Sequence, residues 1–361
     1  MKVVVIGAGT MGSTHSQAYA HMPGVELVGI VDIRLEAAEA LAQSLGTWAY
    51  TRLEDVLAAE DPQVVDVCVP THLHKAYVLQ AAALGKQVVC EKPLARTLAD
   101  AREMIDACTA AGVGLYVGQV VRFFPEYQQA QRMVREGQLG RVGTTRLTRG
   151  GGYPNGWNDW YSQVGSSGSL VVDPMIHDFD FVRWCFGDVQ RVYGKSLLGR
   201  ETNRLDHAFA SLRCKNGVIA HVSGTWAYPE GFGTSLEIAG MEGMVQYSST
   251  DGPSVHTLVR AQKAGEKGVA IPASPLVKSP YYLELEHFID CIRTGASPVV
   301  TAADAYAALE ISLAVLASIQ TGQPIDVEMW RKQQAEGLVE GRKTDGLIFS
   351  AKAQQVGGEQ R

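Results

Sequence analysis

From Met1 to about Gln119, short apolar β-branched runs alternate with segments in which apolar residues recur every three or four positions. The runs read VVVIG, VELVGIVD, TWAY, VVDVCVP, QVVCEK and GLYVGQ. Nearly every position in them is apolar, which is the pattern of parallel strands covered on both faces. The helical segments have legible ends. RLEAAEALAQSLG stops at Gly46, and Thr97 followed by Asp100 resembles a capping box opening TLADAREMIDACTAAG. Strand alternating with helix predicts a doubly wound α/β domain over residues 1–120.

After about Val120 the texture changes. RVGTTRLTR, VQRVYGKSL, HAFASLR, VIAHVSGTW, TSLEIAG and MVQYS alternate only partly between apolar and polar, and turns such as Asn216-Gly217 join them. They predict an antiparallel sheet in a second domain, residues 121–330, with one face packed on helices. The other face is expected to be an oligomer interface, because Val218, Val222 and Trp226 alternate with polar residues. Two helices close the domain: PYYLELEHFIDCIRTG, and Ala302 to Thr321 with Thr301 and Asp304 as capping box and Gly322 as stop. Residues 331–361 are polar and Gly-rich and predict an irregular tail, an arm onto a partner subunit.

Composition narrows the function. A chain of 361 residues suits two domains, and 32 basic against 38 acidic residues, with no Lys or Arg run, argue against gripping nucleic acid or an anionic membrane. No apolar run is read as membrane-spanning, and the opening KVVVIG lacks the features of a signal peptide. The cysteines at 68, 90, 108, 185, 214 and 291 never form a Cys-x-x-Cys pair, so neither a zinc pattern nor a disulfide framework is expected. A cytoplasmic protein with reduced thiols and a small soluble ligand fits these numbers.

Gly7-Ala8-Gly9-Thr10-Met11-Gly12 follows the first strand directly and precedes a helical segment. A bare G-x-G-x-x-G is a weak signal. In this context its glycines allow a tight turn and close approach to a pyrophosphate, whose charge meets the helix N-terminus. Asp32 closes the second strand twenty positions after Gly12, where a carboxylate can accept hydrogen bonds from ribose hydroxyls and repel a 2'-phosphate. That favours NAD, with NADP as the alternative if Arg34 pairs with the phosphate; an ordinary helix-flanking charge is the preferred reading of Arg34. Thr71 and His74 end the fourth strand, where they can line the ligand crevice, unless His74 only caps the next helix. His72-x-His74 has no third ligand of suitable spacing, so no metal is expected. Glu91-Lys92-Pro93 lies at the C-terminal end of the fifth strand, the edge where such sheets bind ligands, and the proline can hold that end in an unusual conformation, a cis bond included.

The glycine loop, Glu91-Lys92-Pro93, Arg122-Phe123-Phe124-Pro125 and GSSGSLVVDPMIHDFDFVRWCFG together resemble the glucose-fructose oxidoreductase/inositol dehydrogenase/MocA family, from Met1 to about Val327. The resemblance implies an N-terminal Rossmann domain and a C-terminal α/β domain with a large, mostly antiparallel open sheet. It further implies a homodimer or homotetramer assembled through that sheet, and hydride transfer between NAD(P) and a hydroxyl-bearing carbon of a sugar or cyclitol. By matching motifs, Lys92, Asp173 and His177 would be the catalytic trio, with His177 as general base, Lys92 stabilising the reacting oxygen and Asp173 orienting substrate or lysine. Asp173 and His177, four apart, would share a face if their segment is one helix. Where relatives carry Asn two residues before the matching Arg, this chain has Val120. Trp157, Asn158, Asp159 and Trp160 offer either a sugar-binding loop or plain surface packing. A keto-sugar reductase, a cofactor-retaining NAD-dependent glycosidase and a dinucleotide-sensing regulator remain as alternatives.

Overall fold

The computed structural model describes residues 1–197, 206–250 and 278–339. Its first sheet is built from β1 (Lys2–Ile6), β2 (Glu26–Val31), β3 (Ala49–Tyr50), β4 (Val64–Val67), β5 (Gln87–Glu91) and β6 (Leu115–Gly118). These strands are all parallel, in the order β3-β2-β1-β4-β5-β6. Helices α1 (Thr10–Ala20), α2 (Leu35–Leu45), α3 (Leu53–Glu60), α4 (His74–Ala83) and α5 (Leu98–Ala110) make the crossovers. Alternate residues of β1 feed two cores: Val3 and Val5 face α1, while Val4 and Ile6 join the larger core on the opposite face. This double burial is why the strands are apolar throughout.

The chain then forms α6 (Pro125–Arg135), β7 (Val142–Gly152), α7 (Val164–Ser167), α8 (Ser169–Val172), α9 (Ile176–Phe186), β8 (Val189–Leu197), β9 (His207–Cys214), β10 (Ile219–Thr225), β11 (Ala227–Gly240) and β12 (Met244–Ser248). It ends with α10 (Pro280–Thr294), α11 (Ala302–Thr321), β13 (Ile325–Asp326) and α12 (Val327–Val339). The second sheet runs β12-β11-β7-β10-β9-β8-β13 and is antiparallel except where β10 pairs β7. Helices α8, α9 and α11 cover one face.

Several expectations change here. Val218, Val222 and Trp226 are buried on the covered face, whereas the open face carries Phe209 and Ile219, with Leu197 and Met244 exposed toward its ends. Alternation had the right period and the wrong side. Residues 331–339, expected to be irregular, continue α12, whose Trp330 packs in the core; residues 340–361 lie outside the described residues. The twenty-residue α11 is, among the described residues, long and apolar enough by composition to cross a membrane, contrary to the reading of the chain's apolar runs. Its burial among α5, α8, α9 and β8 is the reason it is so apolar. Finally α10, read as part of the second domain, packs on the first: Leu285, Phe288 and Ile289 join Val3, Val5 and Tyr19 in one core.

Candidate active site

A cavity of about 1230 Å³ separates the C-terminal edge of the first sheet from β7, the 153–163 loop and α9. Gly7, Gly9, Thr10, Met11, Asp32, Arg34, Thr71, Glu91 and Lys92 line one side; Asp173 and His177 line the other. Gly12 lies behind the loop rather than on the wall. A Cβ on Gly12 would overlap the Gly7 carbonyl, and one on Gly7, which has φ 106°, would overlap the Cys68 carbonyl. Gly9 opens on free space within 4 Å. No side chain caps α1, so its first turn presents N–H groups to whatever occupies that space. This cradle fits a dinucleotide pyrophosphate.

At the β2 end, Asp32 Oδ2 accepts from Ala8 N–H (2.8 Å) and Oδ1 from Arg34 N–H (2.9 Å). The Arg34 guanidinium adds two bonds of 3.0 Å, one to each oxygen. Burial works against the charge, but Arg34 and the amides outweigh it and lower the Asp32 pKa. Arg34 is therefore no ordinary surface charge. It is forked onto Asp32, with its guanidinium carbon 5.5 Å from the Trp157 ring across the cleft mouth.

His74 does not reach the cleft and makes no side-chain cap. It is buried, with Nδ1 against the carbonyls of Pro93 (3.0 Å) and Leu94 (3.3 Å) and Nε2 against that of Val69 (2.9 Å). It ties the end of β4 to the turn after β5. In that turn the Lys92-Pro93 bond is cis.

Lys92 Nζ donates to Asp173 Oδ1 (3.1 Å) and to the Asp173 carbonyl (3.0 Å). Asp173 and His177 do not share one helix, so the condition for a common helical face is not met: Gly168 at φ 85° starts α8, Asp173 ends it, and α9 begins only at Ile176. The turn between them still brings both side chains to one wall. His177 is buried, and its Nδ1 has no hydrogen-bond partner. Burial first, then the charges of Lys92 and Arg149, push its pKa well below 6.5.

Several lining residues escaped the sequence reading, Arg149, Phe232 and Tyr281 among them. Arg149 reaches the cavity from β7 while forked onto buried Asp178 (3.0 and 2.8 Å), and Tyr281 arrives from α10. Neither has a local signal, because their partners lie far along the chain. Arg122, by contrast, is structural: it is buried, forked onto Asp180 (2.7 and 2.6 Å), bonded to the Val299 carbonyl, and under the Trp184 ring. Asn158 and Asp159, both at positive φ, shape the 157–162 turn, and Trp160 stacks on Tyr161 at 4.0 Å on the cavity wall. His15, Asp66 and Cys68 bring ligand-type atoms within 4.8 Å of one another, and they hydrogen-bond among themselves.

Known proteins resemble this chain over nearly its whole length. It is 28% identical to the scyllo-inositol 2-dehydrogenase (NAD(+)) of Bacillus subtilis over 92% of this chain and 97% of that one. It is 29% identical to the myo-inositol 2-dehydrogenase of Thermotoga maritima over 91% and 99%. The structure of a levoglucosan dehydrogenase in complex with NADH superposes with a TM-score of 0.77 at 25% identity, over 91% of this chain and 99% of that one. Residues 1–119 match the oxidoreductase family with an NAD-binding Rossmann fold, and residues 127–246 match its C-terminal domain. With the glycine cradle at one end of the cleft and Lys92, Asp173 and His177 at the other, this chain belongs to the GFO/IDH/MocA family of NAD-dependent oxidoreductases.

Proposed function

We propose that the enzyme moves hydride between NAD and a ring carbon bearing a secondary hydroxyl, on a sugar or cyclitol. The observation that carries this reading is the convergence of Lys92, Asp173 and His177 on the wall of the cleft that holds the glycine loop. Relatives named for inositol and levoglucosan support a polyhydroxylated ring. So does the cavity lining: Trp160, Tyr161 and Trp226 offer flat apolar faces, and Asn155 and Gln163 offer amides.

Bound NAD supplies the hydride acceptor in oxidation and the donor in reduction. His177 takes the hydroxyl proton, since it lines the cleft and burial, with the charges of Lys92 and Arg149, keeps it neutral at neutral pH. Lys92 commits two N–H bonds to Asp173 and keeps a third for the substrate oxygen, where it stabilises the negative charge that develops as the proton leaves. Asp173 fixes the direction of that third bond. Run in reverse, the same groups reduce a keto-sugar. Asp32 selects NAD over NADP, because its carboxylate stands at the site a 2'-phosphate would need. The open face around Phe209 and Ile219 joins subunits into a homodimer or homotetramer, and the six unpaired cysteines suit the reducing cytoplasm.

A coupled screen of inositols, aldoses and keto-sugars against NAD and NADP tests the reading through NADH absorbance. Turnover with a cyclic polyol and NAD is expected. Release of an aglycone with no net redox change, or no exchange of cofactor with any polyol, would overturn it.

A further inference from the structure

Directly beneath Lys92 lies a charged chain that the mechanism above does not use. His15 sits on α1, one turn past the glycine loop, and its side chain is fully buried. Its Nδ1 is 2.9 Å from Asp66 Oδ2 in the middle of β4, and its Nε2 is 3.2 Å from Glu91 Oε1 at the end of β5, an ion pair rather than an aligned hydrogen bond. Glu91 Oε2 in turn accepts the backbone N–H of Lys92 at 2.9 Å. We infer that His15 is a positioning residue for hydride transfer: held between Asp66 and Glu91 as an imidazolium, it fixes the carboxylate on which the Lys92 backbone rests. The inference deepens the proposed dehydrogenase reading and rests on it.

Stability alone gives no reason for such a chain. Asp66 occupies the central layer of an otherwise apolar parallel sheet, and a buried ion pair is commonly no more stable than apolar residues of the same volume. What the chain does supply is a fixed charge at the lip of β5. The groups facing His15 are Asp66 and Cys68 from β4, Glu91 from β5, Tyr19 from α1, and Tyr281 and Glu284 from α10. Burial raises the pKa of Cys68, Tyr19, Tyr281 and Glu284, so all four are neutral. Glu284 has no partner for either oxygen and is held as the acid. Two carboxylates and one imidazolium remain. Burial opposes the imidazolium, but the Asp66 carboxylate that Nδ1 meets at 2.9 Å favours it, and the His15 pKa is raised well above 6.5. Burial likewise opposes the Glu91 charge, and His15 with Lys92 overcomes it, so Glu91 stays ionised.

The test pairs His15→Asn with His15→Asn/Glu91→Gln. In wild type the acid limb of kcat/KM belongs to His177 alone. In His15→Asn, Glu91 loses its counter-charge, its pKa rises, and a second acid limb appears at higher pH, with kcat below it reduced at least about tenfold and the polyol KM little changed. The double variant carries a permanently neutral amide and shows no second limb. A purely structural His15 would lower the melting temperature and leave the shape of the pH profile alone, which would overturn the inference. Asp66→Asn, of equal size, replaces His15→Asn if that variant fails to fold. Independently of turnover, nitrogen NMR of histidine-labelled full-length protein at about pH 7.5, a unit above the ordinary histidine pKa, must show both His15 ring nitrogens protonated. A neutral tautomer there refutes the inference. Wild type inactive on every polyol refutes the functional reading instead, and the NMR result then still decides His15.

Discussion

Replacing Lys92 with Met removes the ammonium while keeping most of the stem's length. The side chain is only 15% exposed, so the change falls inside the cleft. Two of its three N–H groups are bound to Asp173, and the third is the one assigned to the reacting oxygen. Losing one pre-positioned donor to a developing oxyanion costs about 2.7–4 kcal/mol, or 10²–10³ in kcat. The glycine cradle and Asp32 are untouched, so NAD affinity should stay within about tenfold, roughly 1.4 kcal/mol. The same substitution has a second signature. After burial, the Lys92 charge is the next cause of the depressed His177 pKa, and without it that pKa moves up toward its ordinary value. Oxidation needs neutral His177, so activity is lost as pH falls through that pKa. The acid limb of kcat/KM therefore lies well below pH 6.5 in wild type and shifts upward in the variant. Steady-state NADH formation across pH reads both effects. A kcat within about threefold of wild type, or an unmoved acid limb, would refute the role given to Lys92.

Three further outcomes are expected. Asp32→Ser releases Arg34 from its forked bond and removes the repelling charge, so the NADP to NAD ratio of kcat/KM should rise at least about tenfold, measured with both cofactors on one polyol. Phe209→Glu places a charge on the open face of the second sheet and should lower the sedimenting mass, while a wild-type protein that already runs as a monomer would reject that face as an interface. Asp180→Ala removes both forked bonds of the buried Arg122 guanidinium and leaves it the Val299 carbonyl and Asp304 at 3.5 Å, so it should cost about 3 kcal/mol in urea unfolding, the low end for a broken buried pair.

The dinucleotide half of the site was legible because its signals are local. A glycine loop between a strand and a helix, and an acidic residue at the next strand end, need no distant partner to be recognised. Lys92 was legible by its place at a strand end. The pairing of Asp173 with His177 was found, but the single helix on which a shared face was conditional does not form, because α8 ends at Asp173 and α9 begins only at Ile176. His74 was given to the cleft because nothing in its neighbourhood reveals that the carbonyls of Pro93 and Leu94 come to meet it. Around β10, a period of two says that Val218 and Val222 share a face without saying which face is covered. Arg149 with Asp178, and His15 with Asp66 and Glu91, are matches across the fold, invisible until the chain is folded.

The placement of α10 bears on how the molecule is made. Leu285, Phe288 and Ile289 are fully buried against the first sheet, and at about 1.5–3 kcal/mol each their burial is comparable to the whole stability of a typical domain. During synthesis the six strands that will hold NAD emerge first, yet the helix that closes one of their faces emerges some 160 residues after β6 ends at Gly118, at Pro280. Until then the growing chain carries an uncovered apolar face. Cutting the gene after the last parallel strand would therefore yield a sticky fragment rather than a portable NAD-binding module. A shortened version that keeps its nucleotide site has to carry residues 280–294 with it.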